Sequence, residues 1–153
     1  MRLTVYTDFS LRTLMYIALN PDRRPTISEI AQRYRISKNH LMKVVYELGR
    51  AGYIETTRGR NGGLRLAHDP REIGLGAVVR TTEPDMALVP CFELTGSDCA
   101  LLPECRLRTA LQQAGAAFLE VLDRYTLADL VANRDQLTAL LAAEPGGPKV
   151  AVV

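Results

Sequence analysis

Between Thr26 and Leu66 the chain encodes two short amphipathic helices, a tight turn, and a hairpin tip crowded with glycine and arginine; few folds accept that order. Thr26-Ile27-Ser28-Glu29 has the spacing at which a hydroxyl and a carboxylate satisfy each other's orphan backbone donors at a helix start. Ile27, Ile30 and Ala31 give this helix its buried side, and it ends near Tyr34. After a turn at Arg35-Ile36, Ser37 stands where it can cap a third helix, with Leu41, Val44, Val45 and Leu48 as its apolar stripe. Gly49 and Gly52 bracket its end. Residues 53–56 and 64–66 read as short strands around the tip Thr57-Arg58-Gly59-Arg60-Asn61-Gly62-Gly63. Two short helices joined by a tight turn form a helix-turn-helix, and a basic hairpin directly after it makes a winged helix.

The rest of the chain is mostly helical. Residues 7–20 form a helix that Thr7 or Asp8 can cap and Pro21 closes. Ile73 to Thr82 holds an extended piece and a short helix, and residues 83–104 read as a turn-rich loop. From Cys105 or Arg106 to about Tyr125 runs the longest helix, with Leu107, Leu111, Ala114, Phe118, Val121 and Tyr125 along a heptad-like seam. Thr126 to Leu141 is a final helix with a capping start at Thr126-Leu127-Ala128-Asp129, and the Pro- and Gly-rich end is a flexible tail. The domains expected are 1–82, a winged DNA-binding unit; 83–104, a ligand loop; 105–143, C-terminal helices; and 144–153, the tail.

At 153 residues the chain suits one small domain with a helical arm. It has no apolar run of roughly 18 residues, so no membrane span is expected. Asp8 and Arg12 interrupt the stretch where a secretory signal needs a clean apolar run, which points to the cytoplasm. The charge is uneven: residues 1–65 hold 12 Lys/Arg against 5 Asp/Glu, and residues 66–153 hold 7 against 12. Either the N-terminal part meets a polyanion, or the basic and acidic parts attract each other. The motifs favour the first. Ser37, Lys38, Asn39, His40 and Lys43 lie on the side of the third helix opposite its apolar stripe, where base edges and phosphates would be met. Arg58, Arg60, Asn61 and Arg65 arm the wing. There is no nucleophile–base pair, phosphate loop or two-histidine metal motif, which argues against an enzyme.

The three cysteines, Cys91, Cys99 and Cys105, fall within one irregular stretch. Their spacing is not that of a zinc ribbon, and an odd number argues against a disulfide framework. A soft metal or cluster, thiol redox chemistry and simple burial all remain open from spacing alone. Cys105 begins the long helix, whose dipole favours a thiolate there, and Arg106 and Arg108 add positive charge.

Leu3-Thr4-x-x-Thr7-Asp8-x-x-Leu11-Arg12, Ser37-Lys38-Asn39-His40-Leu41-x-Lys43, Arg58-Gly59-x-Asn61-Gly62-Gly63-Leu64-Arg65-Leu66 and the cysteines, in this order, resemble the winged-helix iron–sulfur transcription regulators, in particular their nitric-oxide-sensitive repressors. The resemblance covers roughly residues 1–142. It implies a mainly α fold: a winged helix-turn-helix with a two-stranded wing and a long C-terminal dimerisation helix. It implies a homodimer on a double-stranded DNA operator, with nitric oxide as the signal that releases it. It further implies a [4Fe–4S] cluster on Cys91, Cys99 and Cys105, with Asp8 of the partner subunit as fourth ligand and Arg12 close by. A [2Fe–2S] cluster is the alternative; Arg108 stands where the sibling regulator of iron–sulfur biosynthesis has a histidine ligand, which argues against it. Runner-up readings are an iron- or oxidant-sensing regulator, thiol-based or cluster-based, and an electron-transfer protein, for which a cationic wing has no use.

Overall fold

The computed structural model describes residues 2–92 and 99–143. Helix α1 (Val5–Ala18) is central, and α2 (Ile27–Tyr34), α3 (Lys38–Arg50) and α4 (Leu75–Thr82) surround it. Leu14 and Ile17 of α1, Ile30 of α2, Leu41, Val44, Val45 and Leu48 of α3, and Val78 of α4 close one core. The apolar stripe of α3 is buried as its spacing predicts. A mainly helical chain with one two-stranded antiparallel sheet is the predicted fold class.

Helix α1 starts earlier than its sequence suggests. Thr4 caps it, accepting from the Thr7 amide at 3.2 Å, rather than Thr7 or Asp8. The reason is tertiary: the Thr4 amide and hydroxyl both donate to Glu83, at 2.8 and 3.0 Å, which fixes the entry of the chain. At α2 only half of the expected reciprocal cap forms. Thr26 accepts from the Glu29 amide, while the Glu29 carboxylate takes the Tyr16 hydroxyl at 2.8 Å and Arg23 at 2.6 Å. Ser37 sits at the start of α3 without making a capping hydrogen bond. The turn before it is held by burial of Ile36 and by the Ile36 amide donating to the Ala31 carbonyl at 2.9 Å, so a side-chain cap is not what sets the helix.

The wing consists of β1 (Ile54–Thr57) and β2 (Gly63–Leu66), one residue from the expected bounds, paired Ile54↔Leu66 through Thr57↔Gly63. Ile54 and Leu64 enter the core and tie the hairpin to the helices. The loop after α1 lies along β2, where the Leu64 amide donates to the Pro25 carbonyl at 2.9 Å. Gly63 is required for this approach: a Cβ there would stand 2.4 Å from the Arg24 carbonyl oxygen.

Helix α5 (Arg106–Asp123) crosses α4 at Gly76, where a Cβ would stand 1.9 Å from an Asp123 carboxylate oxygen. Arg80 clasps that carboxylate with two bonds of 2.6 and 2.7 Å. None of the 18 residues of α5 is buried. The expected single helix over 126–141 is instead α6 (Leu127–Leu130) and α7 (Arg134–Ala142). The Thr126–Asp129 capping box forms as predicted. The break follows from two anchors a straight helix cannot serve together. Leu127 is buried and its amide bonds the Ile73 carbonyl at 2.8 Å, whereas Arg134 reaches the Leu19 carbonyl at the end of α1, at 3.0 Å. The stretch 83–104 carries single 3-10 turns at Pro90–Phe92 and Leu102–Glu104; residues 93–98 of it, and the tail 144–153, lie outside the described residues.

Candidate nucleic-acid interface and cysteine centre

The apolar stripe of α3 turns its opposite face to solvent, and Ser37, Lys38, Asn39, His40 and Lys43 are all exposed there. Arg58, Arg60, Asn61 and Arg65 are exposed on the wing beside it. Among the described residues Lys38, Lys43, Arg58 and Arg60 enter no ion pair, so their charge is available to a polyanion. Arg65 differs. It faces Glu55 directly across the strands and bonds its carboxylate through Nε at 2.8 Å. The charge of Arg65 is therefore already engaged within the hairpin.

Three further side chains extend this surface beyond the sequence-based set. Met42 and Tyr46 are 50% and 64% exposed and line the cleft between α3 and the wing. They follow Lys38 at intervals of four, a signal that helical spacing already carries. Arg24 lies over the wing base, donating to the Thr57 hydroxyl at 3.1 Å. Only the fold brings it there.

Asp8 is half-exposed on α1 and pairs with Arg12 at 2.8 Å, one turn on. The Arg12 guanidinium sits 5.9 Å from the Tyr34 ring centre. Tyr34 meets Tyr16 edge-on at 5.8 Å, and burial pushes its phenol up to about 12. The Arg23 bond, foremost, holds the Glu29 carboxyl below its ordinary range. Asp8 is thus joined through Arg12 to the aromatic contact between α1 and the helix-turn-helix.

Cys91 and Cys105 are half-buried and Cys99 is exposed. Among the described residues, no three Cys, His, Asp or Glu side chains of one chain stand together as a metal-binding group. The fold does prepare one of the sulfurs. Cys105 caps α5, its Sγ accepting the Arg108 amide at 3.4 Å, and the first turn of that helix contains no acid. The Arg108 Nε is buried and without an acceptor among the described residues. The three sulfurs are the donor type an iron–sulfur group takes, and the acid-free start of α5 at Cys105 suits its negative charge.

Residues 3–133 match the Rrf2 family, described as an iron-dependent transcriptional regulator. The chain belongs to the Rrf2 family. It is 54% identical to the HTH-type transcriptional regulator NsrR of Geobacillus kaustophilus, over 95% of this chain and 100% of that one. The NsrR of Bacillus subtilis is 51% identical over 92% of this chain and 97% of its own. Among solved structures, CymR (YrzC), the global cysteine regulator of B. subtilis, superposes with a TM-score of 0.71 at 25% identity, covering 87% of this chain and 98% of that one. T. potens IscR shares the fold with a TM-score of 0.68 at 21% identity, covering 97% and 93%. As an Rrf2 regulator the chain acts in transcription and has a non-enzymatic role. No described helix is long and apolar enough to cross a membrane.

Proposed function

We propose that this Rrf2 regulator is a cytoplasmic, homodimeric repressor that holds an iron–sulfur cluster and leaves its operator when nitric oxide reaches that cluster. The supporting observation is a division of labour within one chain: Lys38, Lys43, Arg58 and Arg60, exposed on α3 and the wing and without ion pairs among the described residues, and a separate sulfur set whose Cys105 caps α5. Resemblance to nitric-oxide-sensitive repressors, and relatives named NsrR, support the choice of signal. In this reading residues 1–82 bind DNA, 83–104 carry ligands and 105–143 pair the subunits.

Cys91, Cys99 and Cys105 would hold a [4Fe–4S] cluster, with Asp8 of the partner subunit as fourth ligand. When bound, such a cluster supplies irons that nitric oxide can attack. The chain's own residues do the rest. Asp8 and Arg12 lie on α1, and α1 is the floor on which α3 packs. A constraint at Asp8 therefore bears on the orientation of the recognition helix. Dimeric readers need half-sites about 34 Å apart, so a small rotation of each wing removes the match. Lys38, Lys43, Arg58 and Arg60 hold phosphates and set affinity; Asn39, His40 and Met42 face the base edges.

Anaerobic titration of nitric oxide into loaded protein, followed by operator binding, tests the reading. Binding falls as nitric oxide is added, and Cys99→Ala yields folded protein without iron or sulfide. Tight binding that survives complete reaction with nitric oxide would falsify it. The exposed Cys99 also suits a thiol-based regulator; iron and acid-labile sulfide in oxygen-protected protein separate the two.

A further inference from the structure

Arg108 presents a problem that the described residues of the chain leave unsolved. Its backbone N–H is satisfied by the Cys105 sulfur at 3.4 Å. Its side-chain Nε is buried and meets no acceptor among the described residues. Arg108 lines a cleft between α5 and the segment 86–92, and that cleft is walled by Met86, Leu88, Phe92, Leu111 and Phe118. These side chains offer no oxygen to a donor. Gln112 also lines the cleft but makes no bond to Nε. A buried N–H donor without a partner loses its hydration and gains nothing in return, so native proteins rarely keep one unless something else supplies the acceptor.

What it awaits is narrowed by its neighbours. Cys91 precedes the cleft residue Phe92 in the chain, and the Cys105 sulfur accepts the Arg108 amide three residues on. The start of α5 adds the positive end of an 18-residue helix, with Arg106 as a second cation and no acid in the first turn. An iron–sulfur cluster on thiolates is a net anion whose sulfurs accept hydrogen bonds, and its potential follows net charge and those bonds.

We infer that Arg108 is the counter-charge and N–H donor for the anionic centre held by Cys91, Cys99 and Cys105. The inference rests on the function proposed above and adds a residue that stabilises and tunes the centre without ligating it. Removing the guanidinium makes the loaded centre harder to reduce and easier to lose. The same change relieves the metal-free chain of a stranded donor. The effect on stability therefore has opposite signs in the two states, which a merely structural arginine would not produce.

The experiment compares full-length wild type, Arg108→Met and Arg108→Lys, purified anaerobically. It measures iron and sulfide per chain, the rate of cluster loss to a chelator, the midpoint potential by mediated titration, and the thermal midpoint of loaded and metal-free protein. Arg108→Met is expected to lose its cluster about tenfold faster, to have a lower potential, and to melt no lower than wild type when metal-free. Arg108→Lys, which keeps the charge but not Nε, falls between. If Arg108→Met instead loads no cluster while its metal-free form melts normally, the inference is supported and Arg108→Lys reports the potential. A loaded Arg108→Met with wild-type potential and loss rate overturns the inference and leaves the proposed function standing. A metal-free Arg108→Met that melts well below wild type also overturns it, since Arg108 would then be partnered within the chain. Wild-type protein without iron or sulfide removes both.

Discussion

The winged unit and α5 are built from equally apolar helical patterns, yet they end in opposite conditions. α3 buries its stripe completely, Leu41, Val44, Val45 and Leu48 being 0–4% exposed. α5 buries no residue fully, and Leu107, Val121 and Tyr125 on or beside it are 66%, 48% and 47% exposed. A helix gains most of its stability in water from packing an apolar face. The winged unit meets this need within one chain. α5 meets it only in part, through Leu88 over Gly115 and the Arg80–Asp123 clasp, and in the proposed homodimer a second copy would cover the exposed part of its seam. Under the proposed function this contrast has a use: the reading head is a folded body, and the spacing between two heads would be set by the face that α5 leaves exposed.

The largest expected effect lies in the well-packed region. Leu14→Ala opens a cavity at the centre of α1 and lowers stability by about 3–5 kcal/mol, read by chemical denaturation. A loss below about 1 kcal/mol would mean that α1 is not the centre of the core. On the other side of the comparison, Val121→Glu leaves monomer stability nearly unchanged. It shifts the sedimentation equilibrium to monomer and weakens operator binding about 100-fold, because the two heads no longer bind as one. A dimeric Val121→Glu protein removes α5 from the interface. Smaller again is the effect of Lys38→Ala or Arg60→Ala, each reducing the slope of log affinity against log salt by about 0.9. Arg65→Ala reduces it less, since Glu55 already engages that charge; equal slopes for all three would break the distinction.

The smallest effect is pH-dependent. Arg23 holds the Glu29 carboxyl below its ordinary 4.5. A lowered acid pKa adds stability that is present above the unfolded value and lost as pH falls through the folded one. Wild type should therefore lose more thermal stability than Glu29→Gln between about pH 5 and about pH 3. Parallel curves would show that the Tyr16–Glu29–Arg23 contact adds nothing to the joint between α1 and α2.

Much of this was legible in the residue order because it depends on local chemistry. The stripe of α3, the glycine-rich hairpin and the Thr126–Asp129 box each follow from spacing over a few residues, and each formed. The surface face of α3 follows from the same periodicity, which is why Lys38, Asn39 and Lys43 emerge where base edges would be met. The errors share a cause. Thr4 displaced Thr7 and Asp8 as the cap of α1 because Glu83, 79 residues away, holds it. The last helix broke in two because Leu127 and Arg134 answer to different distant partners.

The chain by itself determined its class: short-range spacing dictates helices, wing and exposed cations, while the spacing of the three cysteines leaves cluster, thiol and burial roles open. Tertiary structure alone decided which charges remain available, bringing Arg24 to the wing, engaging Arg65 with Glu55 and burying the Arg108 Nε without an acceptor among the described residues. The reason is physical. Periodicity is a property of neighbours along the chain, whereas desolvation and pairing depend on which distant groups the fold brings within reach.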